Sequence, residues 1–205
     1  MWKKWKQKIW NLRGVLIATP TVSAIVLSLR LLGWLQNSEL AALDQYFRWR
    51  SPEPLDDRIV LGAITEADLK SLGQWPMSDA VLAQLLQKIK AQNPSAIGLD
   101  LYRDLPVAPG HSQLVQVFQS TPNLISVENI NPINANAGVA PPSTLKKLGQ
   151  ISMNNVIVDS DGILRRGLLQ IDQNGQPVQA LAMVLAQHYL AQRGVIPELI
   201  DAASG

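Results

Sequence analysis

Twenty-two residues near the start of the chain, Gly14 to Leu35 (GVLIATPTVSAIVLSLRLLGWL), carry a single charge and constrain this protein more than any other segment. As a helix rising 1.5 Å per residue, the run is about 33 Å long and spans a hydrocarbon core of about 30 Å. Pro20 removes one helical hydrogen bond in its first third, and Arg30 would cost about 2.5 to 3.5 kcal/mol if held at the helix centre. Both are placed tolerably. Pro20 lies near the start, and Arg30 lies within about two turns of the far end, where its side chain can snorkel to the interface beside Trp34. The run exceeds the apolar core of a cleavable signal, about 7 to 15 residues, and no A-x-A-like site precedes Asn37. A retained signal anchor over residues 14–35 is therefore expected, against the alternatives of a cleaved secretion signal or a buried or interfacial helix.

Charge sets the expected orientation. Residues 1–13 hold Lys3, Lys4, Lys6, Lys8 and Arg13 with no acid, and Trp2, Trp5 and Trp10 interleave with them. That composition suits a lipid headgroup layer and, by the positive-inside rule, places this arm in the cytoplasm. The same residue types could bind nucleic acid, but an arm abutting an apolar span makes lipid the expected partner and nucleic acid not. From Asn37 onward 12 Lys and Arg face 16 Asp and Glu, a net of −4, so residues 36–205 are read as a mildly acidic domain on the periplasmic or extracellular side. With no cysteine, disulfides, thiolate nucleophiles and Cys-ligated metals are excluded.

Hydrophobic periodicity organises that domain. Ser38 to Arg50 reads as a helix, with Leu40, Leu43 and Phe47 on one face and Asp44 four residues before Arg48. Its continuity with the anchor makes it a convenient seam for a homodimer. Arg58 to Ile64 (RIVLGAI) reads as a buried strand and Glu66 to Leu72 as a short helix closed by Gly73. Ser78 caps a helix from Asp79 to Gln92, which Asn93-Pro94 stops. Ser95 to Leu101 is then a second strand, completing a parallel βαβ unit with the first. Ser112 to Gln119 fits a further helix, Asn123 to Val127 a strand, and Asn129 to Pro142 a loop. Ile151 to Val158 and Ile163 to Ile171 flank Asp159-Ser160-Asp161-Gly162 as a β-hairpin. A last helix starts near Pro177, carries Val178, Leu181, Ala182, Leu185 and Tyr189 on one face, and stops at Gly194. The expected fold class is α/β, a membrane-anchoring helix followed by a three-layer-type sensor domain with at least one parallel βαβ unit and a β-hairpin.

The order of motifs resembles the extracellular sensory domain of the CHASE family, type-two class, from about Leu40 to Leu190. The residues that carry it are Leu43 to Arg48 (LDQYFR), Asp57-Arg58-Ile59-Val60, Leu72-Gly73-Gln74-Trp75-Pro76, Ala96 to Asp100 (AIGLD), Gly149, and Asp159 to Arg166 (DSDGILRR). The resemblance implies an extracytoplasmic input module of bacterial receptors, binding an unidentified small ligand or protein partner and followed by further transmembrane helices and a cytoplasmic kinase or cyclase. Thr65 and Met77-Ser78-Asp79 depart from the family pattern. The chain stops where such domains continue, so a domain incomplete at its C-terminus is expected. A non-signalling membrane-anchored structural or assembly protein is the alternative.

Four residues are candidate ligand contacts. Asp100 ends a strand, where open α/β sheets place binding groups, or else it caps or pairs with an arginine such as Arg48. Trp75, before Pro76 in a loop, offers a rigid aromatic face or packs a structured loop. Arg165 and Arg166 could hold an anion or acidic ligand, or pair with Asp159 and Asp161. A calcium loop with Gly162 at its sixth position would need ligands from Ile157 and Leu168, which have none to give. His111 and His188 have no nucleophile at motif spacing, and no G-x-S-x-G, P-loop or dinucleotide fingerprint occurs. No catalytic residue, metal or cofactor is expected.

Overall fold

The apolar run forms one long helix, α1 (Trp2–Leu31), with Pro20 inside it. The computed structural model describes residues 2–131, 138–173 and 175–196, with side chains from Gly14 onward. The side chains of the basic arm, residues 132–137 of the expected loop, and residues 197–205 lie outside the described residues. Gly14–Leu31, with a mean hydropathy of 1.7, is long and apolar enough to cross a membrane, and no part of it is buried within the protein. Thr21 and Ser28 return their hydroxyls to the carbonyls of Ile17 and Ala24, four residues back, as polar side chains in an apolar helix must. The helix closes at Leu31 because Gly33 turns to φ +77° and Trp34 N–H bonds back to Leu29. Helix α2 (Gln36–Trp49) follows, and its Glu39 meets Arg30 Nε at 2.8 Å. Arg30, near the end of the apolar helix, is thus paired with a carboxylate.

The chain divides into two units, Met1–Leu61 and Gly62–Gly205. The second begins with α3 (Glu66–Leu72), entered through a capping box between Thr65 and Asp68 and closed by Gly73 at φ +65°. The Thr65 departure from the family pattern is therefore a helix cap. Ser78 caps α4 (Asp79–Lys90) by accepting from the Val81 N–H. Strand β1 (Ile97–Leu99), helix α5 (His111–Gln119), strand β2 (Leu124–Glu128), helix α6 (Ser143–Leu148) and strand β3 (Ile151–Met153) then alternate. The three strands form a parallel sheet in the order β1-β2-β3, with Ile97 opposite Leu124 and Ser126 opposite Ile151.

Strand alternation sorts the helices into layers. Ile97 and Leu99 face a core built with Leu82 and Leu86 of α4, Leu114, Val117 and Phe118 of α5, and Leu145 of α6. Gly98 points the other way, toward Leu181 and Leu185 of α7 (Leu181–Ala191). The result is helix, sheet, helix. Each fully buried leucine of that core contributes about 1.5 to 3 kcal/mol. An antiparallel hairpin, β4 (Gln170–Gln173) and β5 (Gln176–Gln179), adds a second small core in which Ile130, Met153 and Ala180 pack.

Four elements differ from the expectation. Residues 58–64 form no strand: Ile59, Val60 and Leu61 are exposed, and Arg58 is turned back onto Asp56, its N–H and guanidinium both donating to that carboxylate. A strand exists only through a neighbour, and this run has none among the described residues. The parallel βαβ units are instead β1-α5-β2 and β2-α6-β3. The run from Ile151 is a hairpin arm only at one bridge, Ile157 to Arg166, because its first three residues pair with β2. Pro177 lies in β5 rather than a helix, and α7 begins at Leu181. Helix α6, only six residues long, was not foreseen.

Candidate functional site

The predicted site residues fall into three places. Asp100 follows β1 directly and is exposed, and its carboxylate accepts from Asn154 Nδ2 at 2.9 Å. Asn154 Oδ1 in turn accepts from the Tyr102 hydroxyl at 2.8 Å. Together they tie the segments after β1 and β3. Among the described residues the three strands run in sequence order. Trp75 is exposed and outside the main core.

Arg165 and Arg166 are drawn into their own turn. Arg165 is almost fully buried and donates to Asp159 at 3.1 Å and to Asp161 at 2.6 Å, while Arg166 donates to the other Asp159 oxygen. The Arg165 guanidinium holds the Asp161 carboxyl at about 2, below its ordinary 3.8, and Arg166, then Arg165, lower that of Asp159. Gly162 N–H closes the turn on the Asp159 carbonyl. The carboxylates of Asp159 and Asp161 are thus engaged by the two arginines of the same turn.

A different cluster has the geometry of a site. Asp79 begins α4, Arg103 follows β1, and His111 begins α5. In a parallel alternation these three points all lie at the carboxyl end of the sheet. Asp79 is fully buried; its Oδ2 lies 2.8 Å from His111 Nδ1, and its Oδ1 lies 3.6 Å from Arg103 Nε. The Arg103 side chain, 6% exposed, donates from Nη2 to the Met77 carbonyl at 2.6 Å. Neither Asp79 Oδ1 nor Arg103 Nε has a hydrogen-bond partner. Both residues line a cavity of about 60 Å³, with Asp104, His111, Ser143 and Thr144 as its other polar groups and Leu114, Phe118 and Pro142 among its apolar walls.

The backbone around the cavity is firmly laced. Asp79 N–H bonds to the Val107 carbonyl and Ala80 N–H to that of Pro109, both at 2.8 Å, so the loop 103–110 supplies acceptors to the start of α4. His111, half exposed, is the lid side of the cluster. None of the three was foreseen as a site residue. Asp79 and His111 could have been suspected only from an acid at a capped helix start and a histidine after a Gly/Pro loop.

The described structure is thus a long apolar helix and an α/β domain of three layers with a buried charge pair at the carboxyl end of its sheet. The family model described as the CHASE2 domain matches residues 21–203, and the chain belongs to that family, one of extracellular sensory domains. Comparison with curated proteins and with solved structures gives no match.

Proposed function

We propose that this chain is the membrane-anchored, extracytoplasmic input domain of a signal-transduction receptor, with its N-terminus in the cytoplasm. The observation that carries the reading is continuity: the family match begins at residue 21, inside the apolar helix, and runs through the α/β unit. A sensory domain fused to a span can pass a change in its own contacts into that helix. The basic arm at residues 1–13 favours the cytoplasmic side for the N-terminus, and the acidic remainder is consistent with translocation. Its bound partner is a small ligand or a protein, and pairing of two copies along α2 fits the same role.

Topology tests this directly. Alkaline phosphatase and a fluorescent protein are each fused, separately, after Gly205 and expressed in a bacterial host. Phosphatase activity retained in the membrane fraction is expected. Cytoplasmic fluorescence without phosphatase activity would remove the reading.

A further inference from the structure

We infer that the cavity between α4, α5 and α6 is the ligand site of the domain and that it takes a small neutral compound through a hydroxyl group. As the ligand of an input domain, this rests on the sensory reading above.

The chemistry follows from two atoms. Asp79 Oδ1 is an acceptor and Arg103 Nε–H a donor; both are buried, neither has a partner, and they stand 3.6 Å apart, too far for a hydrogen bond to each other. Unpaired buried polar atoms are costly, and a charged pair raises the cost. One group satisfies both at once if it donates and accepts through a single atom, which is what a hydroxyl does. An oxygen about 2.8 Å from each fits a pair at that spacing.

Charge narrows the class further. Asp79 and Arg103 cancel, and Asp104 adds a negative charge at the wall, so an anion meets a carboxylate with no surplus lysine or arginine among the lining residues. A cation would have to displace Arg103 from Asp79, yet Arg103 is fixed by its bond to the Met77 carbonyl. At about 10 to 15 Å³ per water-sized group, the cavity admits roughly four to six such groups. That is the size of a diol or triol, or of the hydroxylated end of a larger molecule entering past His111. Ser143 and Thr144 offer further hydroxyl partners, while Leu114, Phe118 and Pro142 accept a carbon skeleton.

The chain has two histidines, one on this cavity and one, His188, in α7. Their ring signals therefore serve as a site probe and an internal control. The full chain in lipid nanodiscs is titrated with ethylene glycol, glycerol, acetamide, acetate and methylammonium while the histidine Cε1–H resonances are followed. Ethylene glycol and glycerol are expected to shift His111 saturably and to leave His188 in place, whereas acetate and methylammonium move neither. Thr144→Leu, which fills the cavity from its rim and leaves the charge pair intact, is expected to weaken the response about tenfold or more. A His111 shift with acetamide or acetate but not with the diols overturns the hydroxyl assignment. A linear drift shared by both histidines, or full response in Thr144→Leu, overturns the site, and the charge pair is then bridged by water alone. Since membrane topology is read by reporter fusions, a failure here leaves that result standing, and a cytoplasmic domain that still binds diols would sink the sensory reading alone.

Discussion

Gly110 stands against Ala80 so closely that a β-carbon on residue 110 would fall 2.5 Å from the Ala80 Cα, and its own backbone lies at φ +100°. Two independent constraints therefore demand glycine where the loop 103–110 meets the start of α4. The contact is with backbone, which cannot swing aside as a side-chain tip can. Gly110→Ala is expected to destabilise the domain by about 2 to 4 kcal/mol, combining the cost of an unfavourable φ with overpacking. Urea unfolding followed by circular dichroism would measure it. A loss below about 0.5 kcal/mol would show that the loop is not held as described.

How much of this was legible in the sequence depended on whether a signal was local. The cap at Ser78 and the closing Gly73 are local, and α3 and α4 were read at nearly their true ends, whereas Thr65 was noted only as a departure from the family pattern and not as a cap. Strands are not local. RIVLGAI at residues 58–64 has the composition of β1 and β2, but strand pairing decides, and that run joins no strand among the described residues. The hairpin β4-β5 carried an Asn174-Gly175 turn signal that was passed over in favour of a helix at Pro177, and Gly175 N–H does bond back to Asp172 Oδ1. Helix α6 was too short to show a period. Asp79, Arg103 and His111 meet only because parallel crossovers bring two helix starts and a strand end to one edge, a consequence of topology that no residue spacing encodes. Arg165 and Arg166, by contrast, found the aspartates four to seven residues away that the sequence offered them.

The Asp159-to-Arg166 turn makes a prediction about acid. Asp161 has its carboxyl lowered from 3.8 to about 2 by Arg165, so the charged form is favoured in the folded state. Such a group contributes stability that is present above 3.8 and is lost as pH falls through about 2. Arg165→Met should return the Asp161 carboxyl toward 3.8, seen as a displaced titration of its side-chain carbon resonance, and should flatten the loss of stability over that window. An unchanged Asp161 titration in the variant would refute the pairing.

Asn154 joins Asp100 and Tyr102 through its two amide atoms. Asn154→Ala should cost about 1 to 2 kcal/mol, the sum of two partly exposed hydrogen bonds. In a double-mutant cycle with Asp100→Ala, the coupling should be about 0.5 to 1 kcal/mol. Additive losses would mean that the amide bridges nothing.

The charge pair at the cavity predicts that removing one member costs more than removing both. Asp79 is fully buried and Arg103 nearly so, hence removing one leaves the other as an uncompensated charge in a medium that solvates it poorly. Asp79→Asn should cost about 3 to 5 kcal/mol, and Arg103→Met a similar amount. Replacing both, as Asp79→Leu with Arg103→Met, removes the penalty with the charges and should restore much of the loss, because apolar groups fit the walls made by Leu114 and Phe118. His111 faces the same carboxylate but is 55% exposed, so His111→Gln, whose amide keeps a donor for the buried carboxylate, should cost only about 0.5 to 1 kcal/mol. Chemical denaturation of the four variants distinguishes the cases. A double variant no more stable than Asp79→Asn would mean that the penalty lies in the lost Arg103 bond to the Met77 carbonyl, and that the pair holds this segment in place rather than merely neutralising itself.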